Sequence, residues 1–255
     1  MFFNLFGKGK EKEIEEYAAK LSDAVIHDEL DGDLLESLID FAHDKGLGNK
    51  QLARAQAMAC ETVFESFYQD GYMNDEDFAI YSECLEACYM LKEEDKYRFN
   101  AIAKRCNAFY KIMEKGLLPT IRKEYAAVDY RDGEDLHFAS AGKLMDPEGT
   151  PEPGAGIPIS AETPFRRSKE ETKAVGWKER EKGKGAFFLT TFRAGFRSKK
   201  DKWTLELSDL DCAEIRGNVL CFFRKDGKAW AVMLDDYEMA GAVLSNILGR
   251  KSAEK

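Results

Sequence analysis

Histidine is scarce in this chain: His27, His43 and His137 are the only three in 255 residues, and none stands at a recognisable spacing from a cysteine or serine. That scarcity removes the commonest general base and the usual partner of a nucleophilic thiol. No Gly-x-Ser-x-Gly elbow occurs, and no glycine loop ends in Gly-Lys-Ser/Thr; Gly7-Lys8-Gly9-Lys10 is too short and follows no strand. The chain therefore reads as a non-catalytic protein. Long apolar runs are also missing, none approaching the ~20 residues that cross a bilayer, and Met1 to Phe6 has neither a basic leader nor an apolar signal core. The six cysteines lack the spacing of a secreted disulfide framework and read as reduced thiols. Together these absences point to a cytoplasmic protein.

Proline is rare outside one place. Five of the six (Pro147, Pro151, Pro153, Pro158, Pro164) fall between Asp146 and Phe165, among glycines and small polar residues, which predicts a long loop or mobile insertion over about 146–176. The rest of the chain is left free for regular elements, and its length allows two domains.

A net charge of −9 argues against nucleic acid as a partner, but it is unevenly shared. Residues 1–120 hold 14 Lys+Arg against 24 Asp+Glu, a balance of −10, while the remainder holds 24 against 23, a balance of +1. Two surfaces of different electrostatic character are carried on one chain.

The acidic half has helical periodicity. Ile14, Tyr17, Ala18, Leu21, Ala24 and Val25 share one face, and Asp31-Gly32 breaks that helix. Leu34, Leu35, Leu38, Ile39, Phe41 and Ala42 mark a second, closed by Gly46 and Gly48. Asn49 is expected to cap a third, with Leu52, Ala55, Met58, Ala59, Val63, Phe64 and Phe67 inward. Asn74 is expected to cap a fourth by accepting from the amide of Asp77, with Phe78, Tyr81, Cys84, Leu85 and Cys88 inside. The fifth, from about Glu93 to Lys115, would bury Tyr97, Ile102, Cys106, Phe109 and Met113. Short connections between amphipathic helices imply a helical bundle over 11–116.

Gly116-Leu117-Leu118-Pro119 ends that region, and a linker to Tyr130 is expected. Beyond it the period changes to that of strands: Leu136 to Ala139, Ala186 to Thr191, Ala194 to Ser198, Trp203 to Leu207, and Val219 to Arg224 with Ala229 to Leu234 flanking an Asp226-Gly227 hairpin signal. A helix carrying Tyr237, Met239, Ala240, Val243, Leu244 and Ile247 follows, capped by Asp235. The fold class is α+β. Leu136 to Leu144 would be a strand with no sheet to join unless the proline-rich stretch interrupts a single domain over about 124–248.

Gly185, Leu189, Thr190, Arg193 and Phe196, followed by a Lys-Asp turn, a strand, an acidic Ser-Asp-Leu start and a last helix, resemble the GRAM and bacterial pleckstrin-homology-like (PH-like) modules. Thr191 stands where those modules commonly have Asn. Asp132-Gly133-Glu134-Asp135-Leu136-His137-Phe138 looks like the lead-in strand of the same bacterial proteins. The resemblance implies a bent seven-stranded β-structure capped by a helix. Asp70-Gly71-Tyr72-Met73-Asn74-Asp75-Glu76 is similar, more faintly, to the break and acidic helix start of the tellurite-resistance TerB-like bundles, regarded as metal-responsive or assembly modules.

Three kinds of binding chemistry remain to be weighed. Calcium fails as an EF-hand: with Gly71 at the sixth loop position, Ser66, Tyr68 and Asp77 would be ligands one, three and twelve. A looser acidic site from Asp70, Asp75, Glu76 and Asp77 is the alternative to solvated carboxylates at a helix start. Cys60, Cys84, Cys88 and Cys106 lie on neighbouring helices, but all four fall in apolar stripes and read as core cysteines with no metal. Arg193, Arg197, Lys199, Lys200 and Lys202 gather about one turn, with Arg224, Lys225 and Lys228 on adjacent connections. Such a turn can hold a phosphorylated headgroup or an acidic peptide, and it can equally be a charged hairpin tip that keeps the protein soluble.

These readings describe an interaction protein without a cofactor. Its β-rich module would bind a protein segment or an acidic membrane or phosphoinositide surface. The alternative is a metal-responsive stress protein using the acids of the bundle. Phe2, Phe3, Leu5 and Phe6 ahead of Lys8 and Lys10 would suit a peripheral membrane foot or a segment folded onto its own domain.

Overall fold

Helix α1 spans Glu11–Ile26, α2 Gly32–Asp44, α3 Asn49–Phe67, α4 Asp75–Ala87 and α5 Glu93–Lys115. The computed structural model describes residues 10–68, 72–126, 128–160 and 176–253. The phenylalanine-rich N-terminal segment, Asp70, Gly71 and Pro164 lie outside them. The chain divides into two units, Met1–Tyr110 and Lys111–Lys255, and the fold class is α+β. No described helix is long and apolar enough to cross a membrane.

In the first unit, Ile14, Tyr17, Leu21 and Val25 of α1 and Leu52, Ala55, Ala59 and Val63 of α3 belong to one buried cluster. The fully buried Ala55 and Ala59 are small enough to let the two helices approach closely. Side-chain caps define two of the starts: Asp31 accepts from the amide of Leu34 at 2.8 Å, and Asn74 from that of Asp77 at 2.8 Å. For α3 the expected cap is displaced by one residue. Gly48 is the cap, its amide donating to Gln51 Oε1 at 2.9 Å, and Asn49 is the first helical residue.

The inner face of α5 agrees with expectation at Cys106 and Phe109 and departs from it nearer the helix start. Tyr97 is 78% and Ile102 45% exposed, whereas Phe99, Ala103, Cys106, Phe109 and Ile112 are buried. Residues 99, 103, 106, 109 and 112 keep the three-and-four spacing that a buried stripe requires. Tyr97 is off that phase, whereas Ile102 has a spacing that suits the stripe and is exposed nonetheless.

The second unit is built on one eight-stranded sheet, all of whose pairings are antiparallel: β1 Leu136–Pro147, β2 Ile157–Ile159, β3 Trp177–Thr190, β4 Arg193–Arg197, β5 Lys202–Glu206, β6 Leu210–Arg216, β7 Val219–Arg224 and β8 Ala229–Leu234. Their spatial order is β2-β6-β7-β8-β1-β3-β4-β5. Strand β1 pairs with β3 from Leu136↔Thr190 to Lys143↔Lys184 and, after a register shift, from Met145↔Glu179 to Pro147↔Trp177. On its other edge, Gly142 to Leu144 pair with Leu234 to Val232. The strand beginning at Leu136 therefore does have a sheet to join, on both sides.

The sheet folds back on itself over an aromatic interior. Phe187 of β3 lies 5.8 Å from Phe222 of β7, and Trp203 of β5 lies 5.7 Å from the same ring. Helix α6, Tyr237–Ala253, touches β1, β2, β3, β6 and β7 and buries Ala240, Val243, Leu244 and Ile247. Gly185 is needed where β3 meets β4: an added Cβ would come within 2.5 Å of the Arg197 carbonyl oxygen and 2.6 Å of the Phe196 ring.

Two stretches differ from their predicted character. The expected linker packs on the sheet: Ile121 bridges to Leu136, Lys123–Tyr125 is a short 3-10 helix, and Ala126 joins Leu136 and Phe188 in a small buried cluster. The described part of the proline-rich segment is tied down as well. Its β2 pairs with β6, Glu214 accepts from the amides of Gly154 (2.8 Å) and Gly156 (3.3 Å), and Arg216, only 2% exposed, donates to the carbonyl of Glu152. Glu214 and Arg216 also pair with each other, Nε to Oε1 at 2.6 Å. A buried ion pair thus organises a stretch whose proline content suggests none.

Candidate functional site

The turn between β4 and β5 is shaped by Ser198. Its amide donates to the carbonyl of Asp201 at 2.7 Å, and its Oγ accepts from the amides of Lys200 (3.2 Å) and Asp201 (2.8 Å). The backbone demand of a tight turn is met locally, so the side chains of Lys199 and Lys200 are exposed, as are Arg197 and Lys202 at the strand ends. Arg197 and Lys202 stand directly opposite each other in the ladder. Two like charges in that relation repel. Asp201 does not neutralise the lysines, because Arg180 of β3 donates to it (Nη1 to Oδ1, 2.8 Å) and to Asp146 of β1 (Nε to Oδ1, 2.6 Å). Among the described residues Lys199, Lys200 and Lys202 have no carboxylate at ion-pair distance.

Beside this turn is a cleft of about 430 Å³ lined by Leu144, Met145 and Pro147 of β1, Trp203 of β5, Ala229 and Trp230 of β8, and Arg180, Lys200, Asp201 and Lys202. That volume is within the range of small-ligand sites, about 300–1,000 Å³. Trp203 and Trp230 stack with centroids 5.5 Å apart and planes 11° from parallel. The Arg224 guanidinium lies 5.7 Å from the Trp230 ring. Trp203 Nε1 is buried and has no hydrogen-bond partner among the described residues, which costs desolvation free energy. The cleft sets aliphatic and indole side chains beside the charged groups of Arg180, Lys200, Asp201 and Lys202.

The other predicted basic residues are engaged elsewhere. Arg193 is withdrawn from the turn: it donates to Glu134 through Nε (2.8 Å) and Nη2 (2.6 Å) and to the carbonyl of Asp129 (2.8 Å). Thr190 Oγ1 donates to the same carboxylate, and the Arg131 amide does so at 2.9 Å. Burial pushes the Glu134 carboxyl up, but these hydrogen bonds and the Arg193 charge outweigh it and hold the group at about 2. Arg224 pairs with Asp209 and Asp226, Lys225 donates to the carbonyl of Ser208 at 2.7 Å, and Lys228 pairs with Asp226. His137 is a satisfied structural histidine, bonded to the Pro119 carbonyl (2.7 Å) and Thr191 Oγ1 (3.1 Å).

The acidic candidates at the start of α4 serve the helix. Asp77 Oδ2 accepts from Asn74 Nδ2 at 2.8 Å and Asp75 Oδ1 from the buried Asn107 Nδ2 at 2.9 Å. Burial and then the Glu76 charge raise the Asp77 pKa. Asp75, Glu76 and Asp77 do not converge on a common point; the three potential metal ligands that do, among the described residues, are Cys60, Cys84 and Cys88. Cys106, grouped with them from sequence, stands apart from that set.

Sequence reasoning found the turn and missed the cleft. Leu144, Met145, Pro147, Arg180, Trp203, Ala229 and Trp230 come from four strands, and only the register brings them together. A partial signal was present: Trp203 opens a predicted strand directly after the basic turn, and Trp230 stands in another predicted strand. Compared with known proteins, the chain matches no family model and no curated sequence.

Proposed function

We propose that this is a non-catalytic interaction protein whose second unit docks an acidic protein segment at the tryptophan-floored cleft. An apolar side chain of that segment enters between Leu144, Met145, Trp203 and Trp230, and its flanking carboxylates or phosphates lie on Lys199, Lys200 and Lys202. The observation that carries this reading is the meeting, at one 430 Å³ cleft, of stacked indoles with Lys200 and Lys202, which have no carboxylate at ion-pair distance among the described residues. A polyol headgroup has no use for the stacked indoles, whereas a short acidic motif with an aromatic or aliphatic anchor uses both indoles and lysines. Strand β5 is the last in the sheet order, so among the described residues no further strand pairs with its outer edge, the position that an added strand would take.

The resemblance to GRAM and PH-like modules supports the same reading. With the short β2 set aside, seven antiparallel strands and a closing helix remain, the number and cap which that resemblance implies. Three of its signature residues also acquire a shared physical reason, since Glu134, Thr190 and Arg193 meet in one buried hydrogen-bonded ion pair.

The test is a titration of the full chain, followed by tryptophan fluorescence, with a synthetic peptide of glutamates flanking a central Leu-Phe. Vesicles containing phosphatidylserine and a phosphoinositide form the second arm. Saturable peptide binding that weakens at least tenfold in the triple variant K199E/K200E/K202E, and also in W230A, is expected. Salt-sensitive binding to vesicles without binding of the peptide would move the function to the membrane surface. Silence in both arms removes the proposal.

A further inference from the structure

The first unit contains a cluster that the proposed docking function does not use. Cys60 projects from α3, Cys84 from α4, and Cys88 is the residue that ends α4, one turn beyond Cys84. All three are fully buried. Their sulfurs lie within 4.8 Å of one another, with Cys60 Sγ and Cys88 Sγ at 3.5 Å. A pyramidal ion bonded to three sulfurs at about 2.3 Å, with angles of about 100°, holds them about 3.5 Å apart. In the free protein the Cys60 and Cys88 sulfurs are already at that separation, and Cys84 Sγ lies within 4.8 Å of both.

The surroundings restrict which ion can enter. No imidazole or carboxylate joins the group among the described residues, so a metal that demands four ligands is not satisfied. The influences on the three thiols are one another, burial and the negative charge of Glu61, with no cation among them. A net charge left there would be buried and unpaired, at a cost of several kcal/mol or more. Three thiolates around a monovalent ion carry −2 and around a divalent ion −1. Around a trivalent ion they carry zero.

We propose that Cys60, Cys84 and Cys88 form a three-sulfur binding site for a trivalent thiophilic ion of the arsenite class. The exchange balances without a redox step. Neutral As(OH)3 meets three protonated thiols, three As–O bonds break as three As–S bonds form, and the thiol protons leave on three waters. The product is neutral, pyramidal and complete with three ligands. A second observation is beside the cluster: the hydroxyl of Tyr81, one turn before Cys84, is buried and has no hydrogen-bond partner among the described residues. The three sulfurs are among the groups that, after burial, raise its pKa. Entry needs only a local opening, since the turn after Cys88 carries the exposed Tyr89 and is held to α3 by the Met90 amide donating to Gln56 Oε1 at 2.9 Å.

The experiment uses the reduced full-length chain, sodium arsenite and native mass spectrometry. The expected adduct is one arsenic less three hydrogens. A two-sulfur adduct would keep a hydroxyl and differ in mass. C60S, C84S and C88S should each lose the three-sulfur adduct and bind arsenite at least tenfold more weakly, while C106S, C212S and C221S should behave as the parent. Because a buried Cys→Ser change can unfold the bundle, the parent itself supplies a second readout: arsenite should raise its thermal midpoint, whereas Zn²⁺ and Cu⁺ at equal concentration should raise it less. No adduct, a two-sulfur adduct in the parent, an adduct unchanged in folded C84S, or displacement of arsenite by equimolar Zn²⁺ or Cu⁺ would each overturn the proposal.

Discussion

Arg193 grips Glu134 with two donors, Nε at 2.8 Å and Nη2 at 2.6 Å, and the carboxylate is wholly inaccessible to solvent. The pair joins β4 to the turn that leads into β1, residues 59 apart in sequence. Removing one partner strands the other charge in a buried site. Replacing Glu134 by Gln, or Arg193 by Leu, should therefore destabilise the protein by about 3–5 kcal/mol, read from urea unfolding followed by tryptophan fluorescence. A loss below 1 kcal/mol in both variants would show that the pair is not structural.

The same carboxylate makes stability depend on pH with a defined sign. Its folded pKa, about 2, is below its ordinary value of 4.5, so the unfolded chain takes up a proton first. The stabilisation is fully present above about pH 4.5 and is lost as pH falls through about 2. Acid titration of the parent should show a loss of stability in that window that E134Q lacks, its own curve being flatter there. Parallel curves would refute the assignment.

Gly195 lies opposite Phe188, whose ring would meet an added Cβ at 2.3 Å. The ring therefore lies over the glycine in the ladder. Gly195→Val forces the phenyl group out of its buried position and should cost about 3 kcal/mol or more, the scale of losing or overpacking a core aromatic. Thermal unfolding of G195V and G195A should both fall well below the parent, and an unchanged midpoint in G195V would contradict the packing described.

At the other end of the size scale, Asn74 caps α4 through its side-chain oxygen. Asn74→Ala should cost about 1 kcal/mol, and Asn74→Asp should retain most of the capping energy. Urea midpoints of the two variants separate capping from a general surface effect, because only capping predicts that the aspartate rescues.

How much was legible beforehand follows from the range of the interactions concerned. The cap at Asn74, the five helices and the β7–β8 hairpin depend on residues a few positions apart, and periodicity or turn chemistry reveals them; Asp31, which reads in sequence as a helix break, is in the structure the cap of the next helix. Strand β6 is hidden in the sequence because Asp211 and Glu214 interrupt its apolar pattern; Glu214 is tolerated there because distant backbone amides and Arg216 receive it. The first half of β3 is similarly masked by charges, including Arg180, whose partners Asp146 and Asp201 lie on other elements. Arg193 and Lys200 look alike in sequence. One is locked to a buried carboxylate 59 residues earlier, the other exposed on the rim of a cleft.

The sequence by itself determined the class of the fold, the acidic helical half, the strand-rich half and the exposed basic turn, since each is set by local spacing and by the cost of burying charge. Only the tertiary structure decided what that turn adjoins and where the thiols meet. Trp203 and Trp230, like Cys60 and Cys88, are neighbours because chain segments about 27 residues apart return to the same place, and no local pattern encodes a contact whose energy is collected only after the intervening loop has closed.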